Sequence, residues 1–215
     1  LPGVAQAAEP GVTMTVSGSE RCFASNGLPD HETGRFPTRG NPHSIAAQQI
    51  DVCVPSEPRQ SGRETPVRGV MGIAVNGVLF RPGTAEKWDP ASPRGFSRRG
   101  DPDWTVDING APGRLGLDFN NAHVGHDGFY HYHGIALSLT HTSGSSLVGY
   151  AGDGYEIHYL PGVQSGWALK EGMRPSGPGG RYDGTYNEDY VFAGKRGQPD
   201  ACNGGRSEER RVGKK

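Results

Sequence analysis

Glycine and proline recur along the whole chain and leave few uninterrupted stretches long enough for a helix of three turns. The sequence has 35 glycines and 17 prolines among 215 residues, and they separate apolar runs instead of forming repeats. Sustained helical periodicity is absent from the sequence, whereas short apolar runs with alternation are frequent. This pattern predicts an all-β, loop-rich fold: a β-sandwich or jelly-roll-like single domain with little helix.

Four segments show the alternation or the turn signals that are typical of strands. Val12–Val16 alternates apolar residues with threonine, and Ile50–Val54 also alternates. An Asn-Gly dipeptide divides the apolar run Val70–Phe80, and because this dipeptide favours a type I′ turn, we expect a hairpin there. A second hairpin is expected within Leu147–Leu160, around a Gly-Asp-Gly turn.

The segment Phe129–Leu139 is predicted to be a further strand, and it carries two histidines two residues apart. Because side chains alternate across a strand, His131 and His133 share one face with Ile135, and the two tyrosines of the motif share the other. The apolar residues on the histidine face predict that this face points to the core. A buried polar group without a partner costs roughly 1–3 kcal/mol, so these imidazoles require either a hydrogen-bonded network or a metal.

Three further groups that can ligate a metal lie just upstream of this pair. They are His123, His126 and Asp127, and the Asp-Gly turn that follows lets His123 or His126 fold back over the strand. A nitrogen-rich set of ligands selects Zn, Cu or Fe over Ca or Mg. The sequence therefore predicts a transition-metal site, for Zn or Cu, formed by His131 and His133 with His123 or His126.

Two residues are candidates for catalysis or for additional ligation: His31, in the polar first loop Ser25–Pro37, and Asp127. A metal at this site would either activate water for hydrolysis or, if it is copper, undergo redox cycling, and both hypotheses stay open. The alternative is a surface or matrix interaction module that binds carbohydrate or another protein. Its histidines would be structural, and Tyr182 and Tyr186 would form its contact face.

Both ends of the chain are set aside from the fold. Leu1–Ala7 ends in a small-x-small sequence typical of the cleavage site of a secretory leader, so we interpret it as the remnant of a signal peptide. The tail 206–215 resembles a translated sequencing adapter, with a genuine charged tail as the alternative. We therefore expect one domain over residues 8–205, lacking its natural C-terminus, in a secreted or periplasmic protein.

The three cysteines fit an exported protein with one disulfide and one remaining thiol. Cys22 and Cys53 flank the first long loop and are the expected pair. Cys202 is expected to have lost its partner with the missing C-terminus; a free or metal-bound thiol is the alternative.

Charge and motifs exclude several classes of function. Without the tail, which carries five basic and two acidic residues, the formal net charge of −1 becomes about −4. Nucleic-acid binders concentrate Lys and Arg on one face, so no nucleic-acid partner is expected. No apolar run approaches the roughly 18 residues of a membrane span. Serine-hydrolase, phosphate-loop and dinucleotide motifs are absent from the sequence. The sequence does not indicate a particular small-molecule or carbohydrate ligand. It does not indicate an oligomeric state either.

The motif Tyr130–His133, which reads Tyr-His-Tyr-His, resembles the one that names the YHYH-domain family of mostly bacterial, exported proteins. The resemblance implies export and a single domain, and it transfers no reaction. Family members commonly carry a Cys where this chain has Asn120 or Asn121, and their pattern continues beyond Gly204. The resemblance extends over nearly the whole chain, including Ser25–His31, Asn41–Pro42, Gly72–Val78, Val148–Gly154, Tyr182–Tyr186, Asp189–Tyr190 and Asp200–Gly204.

Overall fold

The structure is a computed structural model that describes residues 8–62, 66–67, 69–110, 115–142 and 145–205. Strands in several sheets predominate among these residues, and helix is scarce. The prediction of an all-β, loop-rich fold with little helix is confirmed. The proposed signal-peptide remnant 1–7 and the tail 206–215 lie outside the described residues, and the prediction of one domain over 8–205 stays a prediction.

The described residues form thirteen strands, a short helix α1 (Leu137–Thr142) and one turn of 3-10 helix at Asn187–Asp189. The strands are β1 (Val12–Ser17), β2 (Glu20–Ser25), β3 (Ile50–Pro55), β4 (Gly72–Ala74), β5 (Leu79–Phe80), β6 (Lys87–Trp88), β7 (Phe96–Ser97), β8 (Ala122–Val124), β9 (Tyr130–Tyr132), β10 (Leu147–Ala151), β11 (Glu156–His158), β12 (Trp167–Leu169) and β13 (Tyr190–Phe192).

The first of two compact units comprises Leu1–Thr84 and Ala111–Tyr159. It contains a three-stranded antiparallel sheet in the order β1-β2-β3 and a six-stranded sheet in the order β11-β10-β4-β5-β9-β8. Strands β5 and β9 pair in parallel, and the other neighbours in the six-stranded sheet pair antiparallel. The predicted strands β1 and β3 and both predicted hairpins are confirmed.

Apolar side chains pack on both faces of the six-stranded sheet. On one face, Ile73 and Tyr150 pack with Phe23 and Val54 of the three-stranded sheet. The other face carries the larger core cluster: Ala74, Val78, Phe80, Ala122, Val124, Tyr130, Tyr132, Ala136, Leu139 and Val148. The three-stranded sheet therefore covers part of one face of the larger sheet.

The predicted disulfide is confirmed. Cys22 of β2 lies directly opposite Cys53 of β3 in the antiparallel register, and the two sulfurs are bonded. Cys202 is a free, exposed thiol.

The prediction of a strand over Phe129–Leu139 is correct only at its start. Strand β9 ends at Tyr132, and the chain turns and enters α1 at Leu137. The side-chain oxygen of Asn120 accepts a hydrogen bond from the backbone N–H of Ser138 at 2.9 Å. Because this amide lies in the first turn of α1, where intrahelical acceptors are lacking, a side chain distant in sequence supports the start of the helix.

The second compact unit comprises Ala85–Gly110 and Leu160–Lys215. It contains two small antiparallel sheets, β6-β7 and β12-β13. Trp104 is buried, and it packs edge-on against Tyr186 at a centroid distance of 5.7 Å. The guanidinium of Arg174 binds the fully buried carboxylate of Asp189 through two hydrogen bonds. No helix among the described residues has the length and apolar character needed to cross a bilayer.

Candidate metal centre

Three histidine side chains meet at the β8–β9 edge of the six-stranded sheet. The antiparallel register of β8 and β9 places His123 opposite His131. His133 immediately follows β9, on the same face as His131, as alternation predicts. One nitrogen from each of the three rings lies within 4.8 Å of the other two, and the ring centroids are 4.7–4.8 Å apart. This group could therefore hold a metal ion.

Backbone carbonyls hold the rings of His123 and His131 through their Nδ1 atoms. The Nδ1 of His123 is 2.8 Å from the carbonyl oxygen of Leu115, and the Nδ1 of His131 is 3.0 Å from that of Phe129. A carbonyl oxygen can only accept, so in both neutral rings the proton lies on Nδ1 and the lone pair on Nε2. A hydrogen bond from the far nitrogen of a ring to a carbonyl is the usual support of a metal-binding histidine.

The Nε2 atoms of His133 and His123 face each other at 3.1 Å. Because the proton of neutral His123 lies on Nδ1, this contact is a hydrogen bond only if His133 carries its own proton on Nε2. A cation between the two nitrogens satisfies both lone pairs without that requirement. Two nitrogens bound at about 2.05 Å to one tetrahedral zinc ion lie about 3.3 Å apart, so the observed spacing fits two ligands of one ion.

Burial keeps the three rings neutral. His131 and His133 are 2% and 5% exposed. Burial is the largest cause that lowers the pKa of His131 to about 4 and that of His133 to about 2, and the neighbouring histidines lower both further. Burial also lowers the pKa of His123. Neutral imidazole is the form that binds metals, so these rings are held in the state that ligation needs.

The opposite face of β9 carries the two tyrosines of the motif. Tyr130 and Tyr132 are fully buried and belong to the larger core cluster. His131 and His133 are buried, as predicted, but the tyrosine face is buried as well and holds the larger apolar cluster. Burial raises the pKa of both tyrosines, so both phenols stay protonated at neutral pH.

The structure places His31 on this tyrosine face, away from the three histidines. Its Nδ1 is 2.8 Å from the carbonyl oxygen of Glu32, so the lone pair on Nε2 accepts the hydroxyl of Tyr132 at 2.6 Å. The amide of Asn76 donates to the same hydroxyl at 2.9 Å and to Asp30 at 2.8 Å. This network ties the first loop to β9. A catalytic role for His31 stays a prediction.

The other two candidates, His126 and Asp127, lie in the turn between β8 and β9 and are exposed. Asp127 accepts a hydrogen bond from the backbone N–H of Phe129 at 3.3 Å, as a turn residue does. The structure does not bring either residue into the group of three histidines. Their roles as ligands or catalytic groups stay predictions.

Two residues near the site had not been singled out from the sequence. The parallel register of β5 and β9 pairs Leu79 with His131 and brings Arg81, two residues further on, beside His133. His43, between β2 and β3, is close enough for its charge to lower the pKa of His123. No local pattern indicates either position, because both depend on contacts between distant parts of the chain.

A comparison with protein families gives one match. The family described as YHYH protein matches residues 51–212, a span that includes all three clustered histidines. Neither a curated protein nor a solved structure matches this chain.

Proposed function

The chain belongs to the YHYH protein family, and on that premise we propose that its three clustered histidines bind one transition-metal ion in a protein that works outside the cytoplasm. The observation that carries the proposal is the contact between the Nε2 atoms of His133 and His123 at 3.1 Å, in a buried group whose rings are held neutral. The family and the Cys22–Cys53 disulfide fit an exported protein, secreted or periplasmic.

The donor set favours zinc or copper. Three imidazole nitrogens suit these ions, and three protein ligands leave one tetrahedral position open. At an open position, zinc lowers the pKa of bound water, and copper supplies one-electron chemistry; both suit the same ligands. The chain itself contributes ring orientation through Leu115 and Phe129 and a dry environment that keeps the rings unprotonated.

Metal content of the purified protein tests the proposal. We expect about one Zn or Cu per wild-type chain by elemental mass spectrometry, and little metal in His131→Ala, His133→Ala or His123→Ala. The loss should exceed the roughly 10–100-fold effect of removing an outer-shell partner of a metal ligand. His126→Ala is the matched control, because His126 is exposed in the adjoining turn and should leave the metal content unchanged.

Circular dichroism in the presence of a chelator shows whether each variant folds. A metal-free wild-type protein whose histidine variants are equally stable would overturn the proposal. It would favour the second candidate, an interaction module with structural histidines.

One observation supports that second candidate. Trp167 and Phe192, on β12 and β13 of the second unit, are 43% and 38% exposed and lie 5.8 Å apart. Exposed apolar pairs of this kind occur at binding surfaces for carbohydrates and proteins. Tyr186 does not belong to such a face, because it is buried against Trp104, so this part of the predicted contact face is wrong. Tyr182 is half-buried.

A further inference from the structure

Arg81 occupies a fixed position beside the three histidines. Its backbone N–H donates to the carbonyl oxygen of Tyr132 at 2.7 Å, and the backbone of the next residue, Pro82, hydrogen-bonds His133. Alternation along β5 puts the side chain of Arg81 on the face of Leu79, which is the face of the histidines. The arginine is exposed, so its guanidinium is accessible to a ligand.

No carboxylate neutralises this guanidinium within the described part of the chain, since the salt bridges found there do not include Arg81. The nearby carboxylate of Asp118 is engaged on the tyrosine face, where it accepts the hydroxyl of Tyr130 at 2.8 Å. Asp127 lies in the exposed turn. Arg174, in the second unit, shows the contrast, because Asp189 and Asp183 bind it.

Arg81 places a positive charge near the three rings. Its guanidinium is close enough to each of them for its charge to act on all three. Neutral imidazoles do not offset the charge of a bound divalent ion, so ion and guanidinium together give about three positive charges with an open ligand position. Such a site attracts anions.

We infer that Arg81 and the open metal position together bind one oxyanion, the carboxylate or phosphoryl group of a substrate or ligand. One oxygen binds at the metal, and the guanidinium donates to the others, since its planar fork matches both groups. The inference rests on the proposed function and deepens it, because it assigns an anionic class of ligand to the same site. No bond is made or broken in this step.

The test uses protein loaded with Co²⁺, whose visible absorption reports the coordination of the metal. Inorganic phosphate and acetate are titrated separately into wild type, Arg81→Gln, Arg81→Lys and the control Arg59→Gln. Arg59 is exposed, follows the end of β3 and lines a surface pocket together with Cys53. Wild type should bind at least one anion saturably, and Arg81→Gln should bind it at least about tenfold more weakly. Arg81→Lys should be intermediate, because it keeps the charge and loses the fork.

Metal affinity separates this inference from the proposal beneath it. Arg81→Gln should bind Co²⁺ at least as tightly as wild type, because a like charge is removed. Saturation by phosphate alone or by acetate alone supports the inference and identifies the group. Equal anion affinities in wild type and Arg81→Gln overturn it while the metal proposal stands. A chain that takes up no metal overturns both.

Discussion

The buried imidazoles of the three-histidine group make the stability of this protein depend on pH. An unfolded histidine titrates near pH 6.5, whereas burial lowers the pKa of folded His131 to about 4 and that of His133 to about 2. Below pH 6.5 the unfolded chain therefore binds more protons than the folded chain. Stability rises with pH wherever the unfolded state binds more protons, so here it falls as the pH falls from 6.5.

We expect the metal-free protein to lose about 1.4 kcal/mol of its free energy of unfolding per pH unit for each buried histidine, between pH 6.5 and about 4. Urea denaturation at pH 7.5, 5.5 and 4.5, followed by circular dichroism, measures this slope. His131→Asn should reduce the slope by about one proton, and His126→Asn should not change it, because His126 is exposed. Equal slopes in the two variants would contradict the lowered pKa of His131 in the folded protein.

Two of the three clustered histidines could be predicted from the sequence, and the third could not be chosen. Period two fixes His131 and His133 on one face whatever surrounds them. The choice between His123 and His126 depends on the register of β8 against β9, which puts His123 opposite His131 and leaves His126 in the turn. Register is set by pairing across the turn, and no local feature of either histidine reports it.

Strand β9 holds a different polar system on each face, although it spans only Tyr130–Tyr132. One face supplies the histidines. On the other, the hydroxyl of Tyr132 donates to His31 and accepts from Asn76. A tyrosine buried in an apolar cluster requires such partners for its hydroxyl. The hydroxyl of Tyr132 is therefore one of the groups that attach the first loop to the sheet, together with the contact of Asn76 with Asp30.

Tyr132→Phe removes that hydroxyl and should lower the free energy of unfolding by about 1–3 kcal/mol, because the Nε2 of His31 loses its donor. Limited proteolysis should cut the loop Ser25–Pro37 faster than in wild type. Metal content should not change, since Tyr132 faces away from the three histidines. Tyr155→Phe is the control, because Tyr155 is exposed. Unchanged loop cleavage in Tyr132→Phe would show that the network does not hold the loop.

Strands with clear local signals were predicted, and elements that depend on distant contacts were missed. Val12–Val16 and the Asn-Gly hairpin carry their own pattern. Strand β2 was missed because only Phe23 of its six residues is buried, so it lacks apolar alternation. Ile135 and Leu137 continue the alternation of β9 in sequence, yet both are exposed, because the chain leaves the sheet before them.

At the scale of the whole chain, the all-β class follows from the glycine and proline pattern, and the placement of the candidate site does not. The histidine group, the His31 network and the disulfide all belong to the first unit. The position of Arg81 beside the histidines, in contrast, depends on the parallel pairing of β5 with β9, two strands about 50 residues apart in sequence. Local patterns carry no information on such a pairing, because many topologies share the same short strands.

The Cys22–Cys53 disulfide closes the segment that carries His31, with a sequence separation of 31 residues. In the chain-entropy model, closing a loop of this length stabilises the fold by about 3–4 kcal/mol. The double variant Cys22→Ala/Cys53→Ala should therefore unfold at a clearly lower urea concentration than wild type. Cys202→Ala should change the free energy of unfolding by less than about 0.5 kcal/mol, because Cys202 is free and exposed.

The double variant should retain its metal, since the three histidines lie on the other sheet of the same unit. An unchanged midpoint would mean that the unfolded chain is already restricted without the bond, and loss of metal would mean that the two sheets depend on each other.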